Sequence, residues 1–480
     1  MEVSLPLLIF LQQCVFSVLY KYAASAPQDL DIIHNMRVIR KRLTEKTDFP
    51  WSEKELTPYL MNSKRLAKKG IVNRGWLSQQ SIQNQLYKAL RSENVSLYIF
   101  GESVSVGADL GKYNKEKVFH NILGFWWDSL FRGVTDSIML RRNLAVGGVG
   151  SSYFARCWEE YLHSEESFDL ALWEFNINDV GDETLHNSLE FFTRSLYRRY
   201  KRLDLMFTVF FRRSLYEKES DSSKRHELAE NIVASHAHKY NITCFNIEPI
   251  VNHSKVELGL NDMFRNMHPS AFAHTQMAFL MIRYYTDVIL DTLQKWIEEG
   301  EMSTPSGSSA SLTTMMKRKH KQGTCKATCW SAVTPNYRKH IQAHSLFKLP
   351  MEHGKGTNVV KEGWKGVEEE RYDLTGGYRA TSQHAYITVY FKLKNLKAEE
   401  KLRDLFLAVR YSNMKSRSRV ELQKVKGKSV IKDYNTTVIY PPKKDDGLKL
   451  YRISTIGSGE WKLTVKVLKG DFLLCALIIC

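Results

Sequence analysis

"VSLYIFGESVSVGADLG" spans residues 95–111. An apolar run broken by one serine stops at Gly101, and the chain then delivers two hydroxyls, Ser103 and Ser105, into a polar loop. A short apolar run bounded by glycine reads as a strand buried on both faces. Gly and Ser close many strands as simple turn residues. The alternative is a nucleophile held at the strand's carboxyl end, Ser103, with Ser105 as the fallback. The rest of the chain decides between them.

Downstream, strands and helices alternate. Phe119, Ile122, Leu123, Trp126 and Leu130 have helical spacing, with Trp126 and Trp127 as core and flank of that helix. "SIMLRRNLAV" (137–146) contains a second strand, and Tyr153, Cys157, Trp158 and Tyr161 then share one helical face. "FDLALWEF" (168–175) is almost continuously apolar, as a central parallel strand is. A helix bearing Leu185, Leu189, Leu196 and Tyr200, strands in "LMFTVFF" (205–211) and "ITCFNI" (242–247), and a helix over 270–297 complete the series. This repetition predicts a three-layer α/β/α sandwich with a parallel sheet over residues 94–297.

The flanks differ. Residues 27–93 read as a helical N-terminal segment, with Ile82, Leu86 and Leu90 forming one stripe. Residues 298–345, which carry the basic run "KRKHK" (317–321) and Cys325 and Cys329, read as a linker. Beyond it the period changes to two: Ala385, Ile387, Val389, Phe391 and Leu393 alternate with their neighbours, as do Trp461, Leu463, Val465 and Val467. A C-terminal antiparallel β-sandwich is predicted over residues 346–480.

At 480 residues the chain exceeds one ordinary core. Its formal charge of +17 points to anionic surroundings, such as acidic glycans or a membrane surface. "LPLLIFLQQCVFSVLY" (5–20) precedes "AASAP" (23–27), where Ala24 and Ala26 fit an A-x-A cleavage site. A signal peptide over residues 1–26 and a secreted or secretory-pathway location are therefore expected. Sequons at Asn94, Asn241, Asn252 and Asn435 agree with secretion and argue against a nucleic-acid partner.

Loss of Cys14 with the signal leaves Cys157, Cys244, Cys325, Cys329, Cys475 and Cys480, an even set that permits full pairing without assigning it. Cys325 and Cys329 lack the two-pair spacing of a zinc site. His236 and His238, near Cys244, lack further ligands and read as helix-surface residues. No metal is expected, and without a phosphate-cradling glycine loop ending in Lys-Ser/Thr no cofactor is either.

In an open α/β sheet, ligands bind beyond the carboxyl ends of the strands. Four loops there carry chemistry: Gly101-Glu102-Ser103-Val104-Ser105-Val106-Gly107, the stretch from Asn143 to Ser151 with Gly147, Gly148 and Gly150, Asn176-Ile177-Asn178-Asp179, and the stretch from Asp262 through Arg265 to His268-Pro269-Ser270. Acyl transfer needs these residue types. A serine hydroxyl is a poor nucleophile until an imidazole takes its proton. A carboxylate beside the imidazole sets its tautomer, and amide donors meet the oxyanion.

In this order the blocks resemble those of the SGNH/GDSL hydrolase superfamily. Gly101-Glu102-Ser103 is similar to its Gly-Asp-Ser loop, with Gly107 as the further glycine. Gly148 matches the second-block glycine, Asn176–Asp179 the Gly-x-Asn-Asp block, and His268-Pro269 the end of the Asp-x-x-His-Pro block, with His274 at the spacing of a second histidine. The resemblance implies Ser103 as nucleophile, His268 as base, and an oxyanion hole of the Ser103 amide, the Gly148 amide and the Asn178 side chain.

Three departures stand out: Glu102 replaces an aspartate, Asn176 replaces a glycine, and Arg265 occupies the acid position before His268. Asp262 is the expected acid if the intervening residues bulge outward; the alternatives are a Ser-His dyad and a dead site. His274 reads as packing or surface. The expected function is a secreted serine esterase removing O-acyl groups, acetyl foremost, from glycans. The alternatives are a phospholipid or fatty-acyl lipase, and a non-catalytic glycan-binding or adhesion protein on a decayed hydrolase domain.

Overall fold

The computed structural model describes residues 31–45, 68–162, 168–179, 181–200, 203–210, 221–249, 263–265, 268–302, 327–331, 359–367, 377–380, 382–393, 402–410, 416–426, 429–440 and 448–480. The expected signal peptide, the run 317–321, Asp262 and Cys325 lie outside these residues.

After a helix over residues 31–44 (α1), the chain forms β1 (Ile71–Asn73), α2 (Trp76–Leu90), β2 (Val95–Gly101), a one-turn helix α3 (Ser103–Val106), α4 (Phe119–Phe131), β3 (Met139–Asn143), α5 (Ser151–Cys157), β4 (Leu170–Glu174), α6 (Glu183–Arg199), β5 (Asp204–Val209), α7 (Asp221–Tyr240) and β6 (Thr243–Asn246). A hairpin of β7 (Phe264–Arg265) and β8 (His268–Pro269) precedes the long α8 (Ala271–Glu299). The principal sheet runs β1-β6-β5-β4-β2-β3. Strands β2 to β6 are parallel, and β1 is antiparallel at the edge.

Burial on both faces explains the continuous apolar runs. On β2, Val95, Leu97 and Ile99 pack into one apolar cluster with α2, α4 and α8. Tyr98 and Phe100 alternate into a second cluster with α5, α6 and α7. On β4, Leu170 and Leu172 face the first layer, Ala171 and Trp173 the second. The three-layer arrangement is the expected one. The N-terminal segment differs from expectation: β1 belongs to the sheet by pairing with β6, and Ile82, Leu86 and Leu90 of α2 fill the first layer rather than a separate unit.

Beyond α8 come β9 (Thr328–Ser331), β10 (Val359–Glu362), β11 (Trp364–Val367), β12 (Gly377–Ala380), β13 (Tyr386–Leu393), β14 (Arg403–Arg410), β15 (Arg417–Lys426), β16 (Ser429–Ile439), β17 (Lys449–Ile456), β18 (Gly459–Lys469) and β19 (Phe472–Ile479). They form two antiparallel sheets, β10-β13-β18-β15-β16 and β11-β12-β19-β14-β17, with β9 also pairing β19. Residues 328–331, expected as linker, are therefore a strand of the second sheet.

The alternating residues Ile387, Val389, Leu463 and Val465 meet Leu405, Leu407 and Leu474 between the sheets. The other face of β19, with Leu473, Cys475, Ala476 and Ile478, packs into the second cluster of the α/β unit. That double burial explains the unbroken run "FLLCALII".

The cysteines are not all paired. Cys157 on α5 bonds to Cys329 on β9, with a Cα–Cα distance of 5.4 Å that suits a disulfide. Cys480 is also disulfide-bonded. Cys244 and Cys475 are not disulfide-bonded, and each is enclosed in the second apolar cluster. His236, expected on a helix surface, is buried between α6 and α7, where its Nε2 hydrogen-bonds the Thr193 hydroxyl at 3.0 Å. His238 is exposed.

Candidate active site

Chain order places β3 and β4 on opposite sides of β2. This is the switch point of the sheet, where diverging loops leave a crevice at the strand ends. Three of the four loops leave the carboxyl ends of β2, β3 and β4, and the β7–β8 hairpin brings in the fourth.

At the end of β2, an added Cβ on Gly101 would stand 2.4 Å from Ser105 Oγ and 3.2 Å from the Glu174 carbonyl oxygen, so only glycine fits. Glu102 caps α3 with extended backbone, and Ser103 opens the helix. An amide at that position has no helical acceptor. The Ser105 hydroxyl is turned inward and donates to Glu174 Oε2 at 3.0 Å, and Ser105 is fully buried. Ser105 is thus a loop anchor, and Ser103 keeps the site.

The Ser103 hydroxyl donates to His268 Nε2 at 2.9 Å. On the other side of the ring, His268 Nδ1–H donates to Asp109 Oδ2 at 2.8 Å. An ionised carboxylate can only accept, so it requires the proton on Nδ1 and leaves Nε2 as the acceptor for serine. The sequence-predicted pair Ser103 and His268 is therefore assembled. Asp262, the expected acid, lies outside the described residues, and the carboxylate found on His268 is Asp109. Arg265 is exposed and stands opposite His268 across the hairpin.

Asp109 comes from the nucleophile loop itself. Gly107 closes α3 in the left-handed region at φ +74°, with its N–H on the Val104 carbonyl at 2.8 Å. Asp109 is itself at φ +61°. Aspartate is one of the few non-glycine residues that visit this conformation routinely. Two left-handed residues two positions apart fold the chain back, so the carboxylate returns to the histidine beside the serine. Lys115 Nζ clamps the turn, donating to the Val106 and Gly107 carbonyls at 2.8 Å each. The only sequence signal for Asp109 is an aspartate shortly after the further glycine, visible in the opening stretch but indistinguishable there from a turn residue.

The second loop is drawn alongside the first by two bonds that extend the β3–β2 ladder, Leu144 N–H to Ile99 O at 2.9 Å and Val146 N–H to Gly101 O at 3.0 Å. Asn143 Nδ2 donates to the Ser105 carbonyl at 2.7 Å. Gly148, two residues past the last rung, takes φ +69°.

The third loop is tied by the buried Glu102, whose Oε1 accepts the N–H groups of Ile177 at 2.8 Å and Asn178 at 3.1 Å. The departure from aspartate thus supplies a longer arm between nucleophile loop and Asn178 loop. The Asn176 side chain, which stands where the resembling family has glycine, accepts the Phe210 N–H at the end of β5 on its Oδ1 at 2.9 Å.

His274 is buried and neutral, its Nδ1 accepting the Phe119 N–H at 3.4 Å, and burial pushes its pKa down to about 3. Burial likewise lowers His120 to about 4. Both rings are too weakly basic to take a serine proton near neutral pH.

Asp179 accepts the Ser151 N–H on Oδ1 at 3.0 Å, and burial pushes its carboxyl from 3.8 up to about 7. Folding thus retains a proton that the unfolded chain has already released above about pH 4. Unfolding releases it throughout that interval, so stability falls as pH rises from about 4 to about 7 and is level on either side. Urea unfolding of wild type and Asp179→Asn at pH 4.5, 6 and 7.5 should show the wild type losing ground to the variant across the series. A difference independent of pH would contradict the assignment.

No protein-family profile matches the sequence, and no curated protein does. The fold is the three-layer α/β/α sandwich expected from the resemblance to SGNH/GDSL proteins, followed by two antiparallel sheets. It is similar to the crystal structure of a two-domain esterase (CEX) active on acetylated mannans, with a TM-score of 0.58 and 16% identity, over 86% of this chain and 97% of that one. The same esterase co-crystallised with mannopentaose gives a TM-score of 0.57 and 16% identity, over 86% of this chain and 97% of that one. At this identity the likeness establishes the fold of both parts.

Proposed function

We propose that the chain is a serine esterase that removes O-acyl groups, acetyl foremost, from polysaccharide hydroxyls. The observation that carries this reading is the run of two hydrogen bonds from Ser103 through His268 to Asp109, at 2.9 and 2.8 Å.

Ser103 Oγ attacks the ester carbonyl carbon while His268 Nε2 takes its proton, and Asp109 stabilises the imidazolium. The negative charge formed on the carbonyl oxygen is met by the Ser103 and Gly148 amides and the Asn178 side-chain amide. The tetrahedral adduct expels the sugar alkoxide, which takes the proton from His268, and an acyl-Ser103 remains. Water, deprotonated by His268, attacks the acyl carbon, and collapse returns the free acid and the serine hydroxyl.

The reading as a decayed site drew its best support from Arg265 in the acid position. The Asp109 carboxylate on His268 Nδ1 weakens that support. A glycan substrate is supported by the likeness to an esterase described as active on acetylated mannans. A secretory location is supported by the Cys157–Cys329 disulfide, since such bonds persist in oxidising compartments. The charge of +17 suits anionic glycan around the substrate.

The test is acetate release by the full chain from acetylated mannan and acetylated xylan, beside turnover of p-nitrophenyl acetate and p-nitrophenyl palmitate. Acetate from a glycan supports the reading. Turnover of palmitate alone would make the protein a lipase, and no turnover of any ester would make it a binding protein.

A further inference from the structure

Leu448 stands immediately before β17 in the C-terminal sheets, and it meets the loop that carries Gly148. Its backbone N–H donates to the Gly148 carbonyl at 2.7 Å, and Val149 and Leu448 form a parallel bridge. Val149 and Leu448 are buried, in one apolar cluster with Tyr153, Phe406 and Ile478. An added Cβ on Gly148 would meet nothing within 4 Å, so the residue's freedom from a side chain answers to its φ of +69°, not to crowding.

The same loop is secured on its far side. Asp179 holds the Ser151 N–H, and the Cys157–Cys329 disulfide with the 2.6 Å bond between the Tyr153 and Ser331 hydroxyls pins α5 to β9.

We propose that the C-terminal sheets complete the hydrolytic site, with the Leu448 amide as a positioning group for Gly148. The inference rests on the esterase reading and on Gly148 as an oxyanion donor. A glycine has two soft torsions and no side chain to wedge it, so its amide keeps one direction only if its neighbours are tethered. Val146 N–H on Gly101 O tethers the chain upstream, and the Leu448 N–H fixes the Gly148 carbonyl downstream. Without that second tether, Gly148 can rotate its N–H away from the developing charge. An oxyanion donor counts in the transition state rather than in the bound ester, so the loss should fall on kcat.

The experiment uses the full chain, p-nitrophenyl acetate and a fluorophosphonate probe. Leu448→Pro removes the N–H and keeps an apolar side chain. It is expected to lower kcat and the labelling rate together by about 10- to 100-fold, with KM changed less than about twofold. Leu448→Ala keeps the N–H and should remain within about threefold of wild type. Wild-type kcat in folded Leu448→Pro, or an equal loss in Leu448→Ala, overturns the proposal.

If Leu448→Pro does not fold, the double variant Cys157→Ala/Cys329→Ala decides. A kcat lower by about tenfold at unchanged KM supports the brace, and an unchanged kcat overturns it. Failure of the esterase reading is distinct, since the wild type itself would then neither label nor turn over ester.

Discussion

Ser103→Ala is expected to abolish fluorophosphonate labelling and to lower kcat on p-nitrophenyl acetate by about 10⁶, the scale of losing a serine nucleophile. The effect is large because no second hydroxyl can take over. Ser105 lies two residues away, but its Oγ–H is committed to Glu174 in a fully buried position. Its displacement would also release two N–H bonds, those of Glu102 at 3.4 Å and Ser105 at 3.2 Å to the same carboxylate. Ser105→Ala should therefore still label, at a reduced rate, because the loop loses an anchor and keeps its nucleophile. Labelling that survives in Ser103→Ala and vanishes in Ser105→Ala would reverse the assignment, and mass spectrometry of the labelled peptide distinguishes the two directly.

Asp109→Asn should cost about 10⁴ in kcat, as loss of the orienting carboxylate does in a comparable triad. The geometry explains the size. An amide nitrogen opposite Nδ1 favours the tautomer with its proton on Nε2, which then faces Ser103 as a donor and cannot receive the serine proton. Asparagine accepts the left-handed backbone that Asp109 occupies at φ +61°, so the protein should fold normally and the loss should be chemical. Asp262→Asn measured in parallel should leave kcat near wild type. A large loss in Asp262→Asn with an active Asp109→Asn would return the acid role to the position expected from sequence.

How much of this was legible beforehand follows from the range of each interaction. The strands could be read because both faces of β2, β4 and β5 are covered, which makes their sequences almost uniformly apolar. The two-residue period after residue 385 reported a sheet with one face inside a sandwich. Ser103 and His268 could be read because each sits in a short block next to an element boundary. The misread segments share one cause. Strand β1 has only three residues and β9 only four, too few for a period to register, and each is a strand because of the partner it finds in β6 or β19. His236 looked like a surface residue because its burial is imposed by α6 from outside its own helix.

By itself, then, the amino-acid order pointed to the layers, to Ser103 and His268 as a pair and to the loops that hold them, since local period and the glycines at strand ends carry that information. The tertiary structure alone decided which carboxylate meets the histidine, which cysteines pair, and that a strand edge about three hundred residues downstream grips the glycine loop beside the serine. Those choices depend on distance in space. Two left-handed residues turn Asp109 back onto His268, and no spacing along the chain records where such a turn ends.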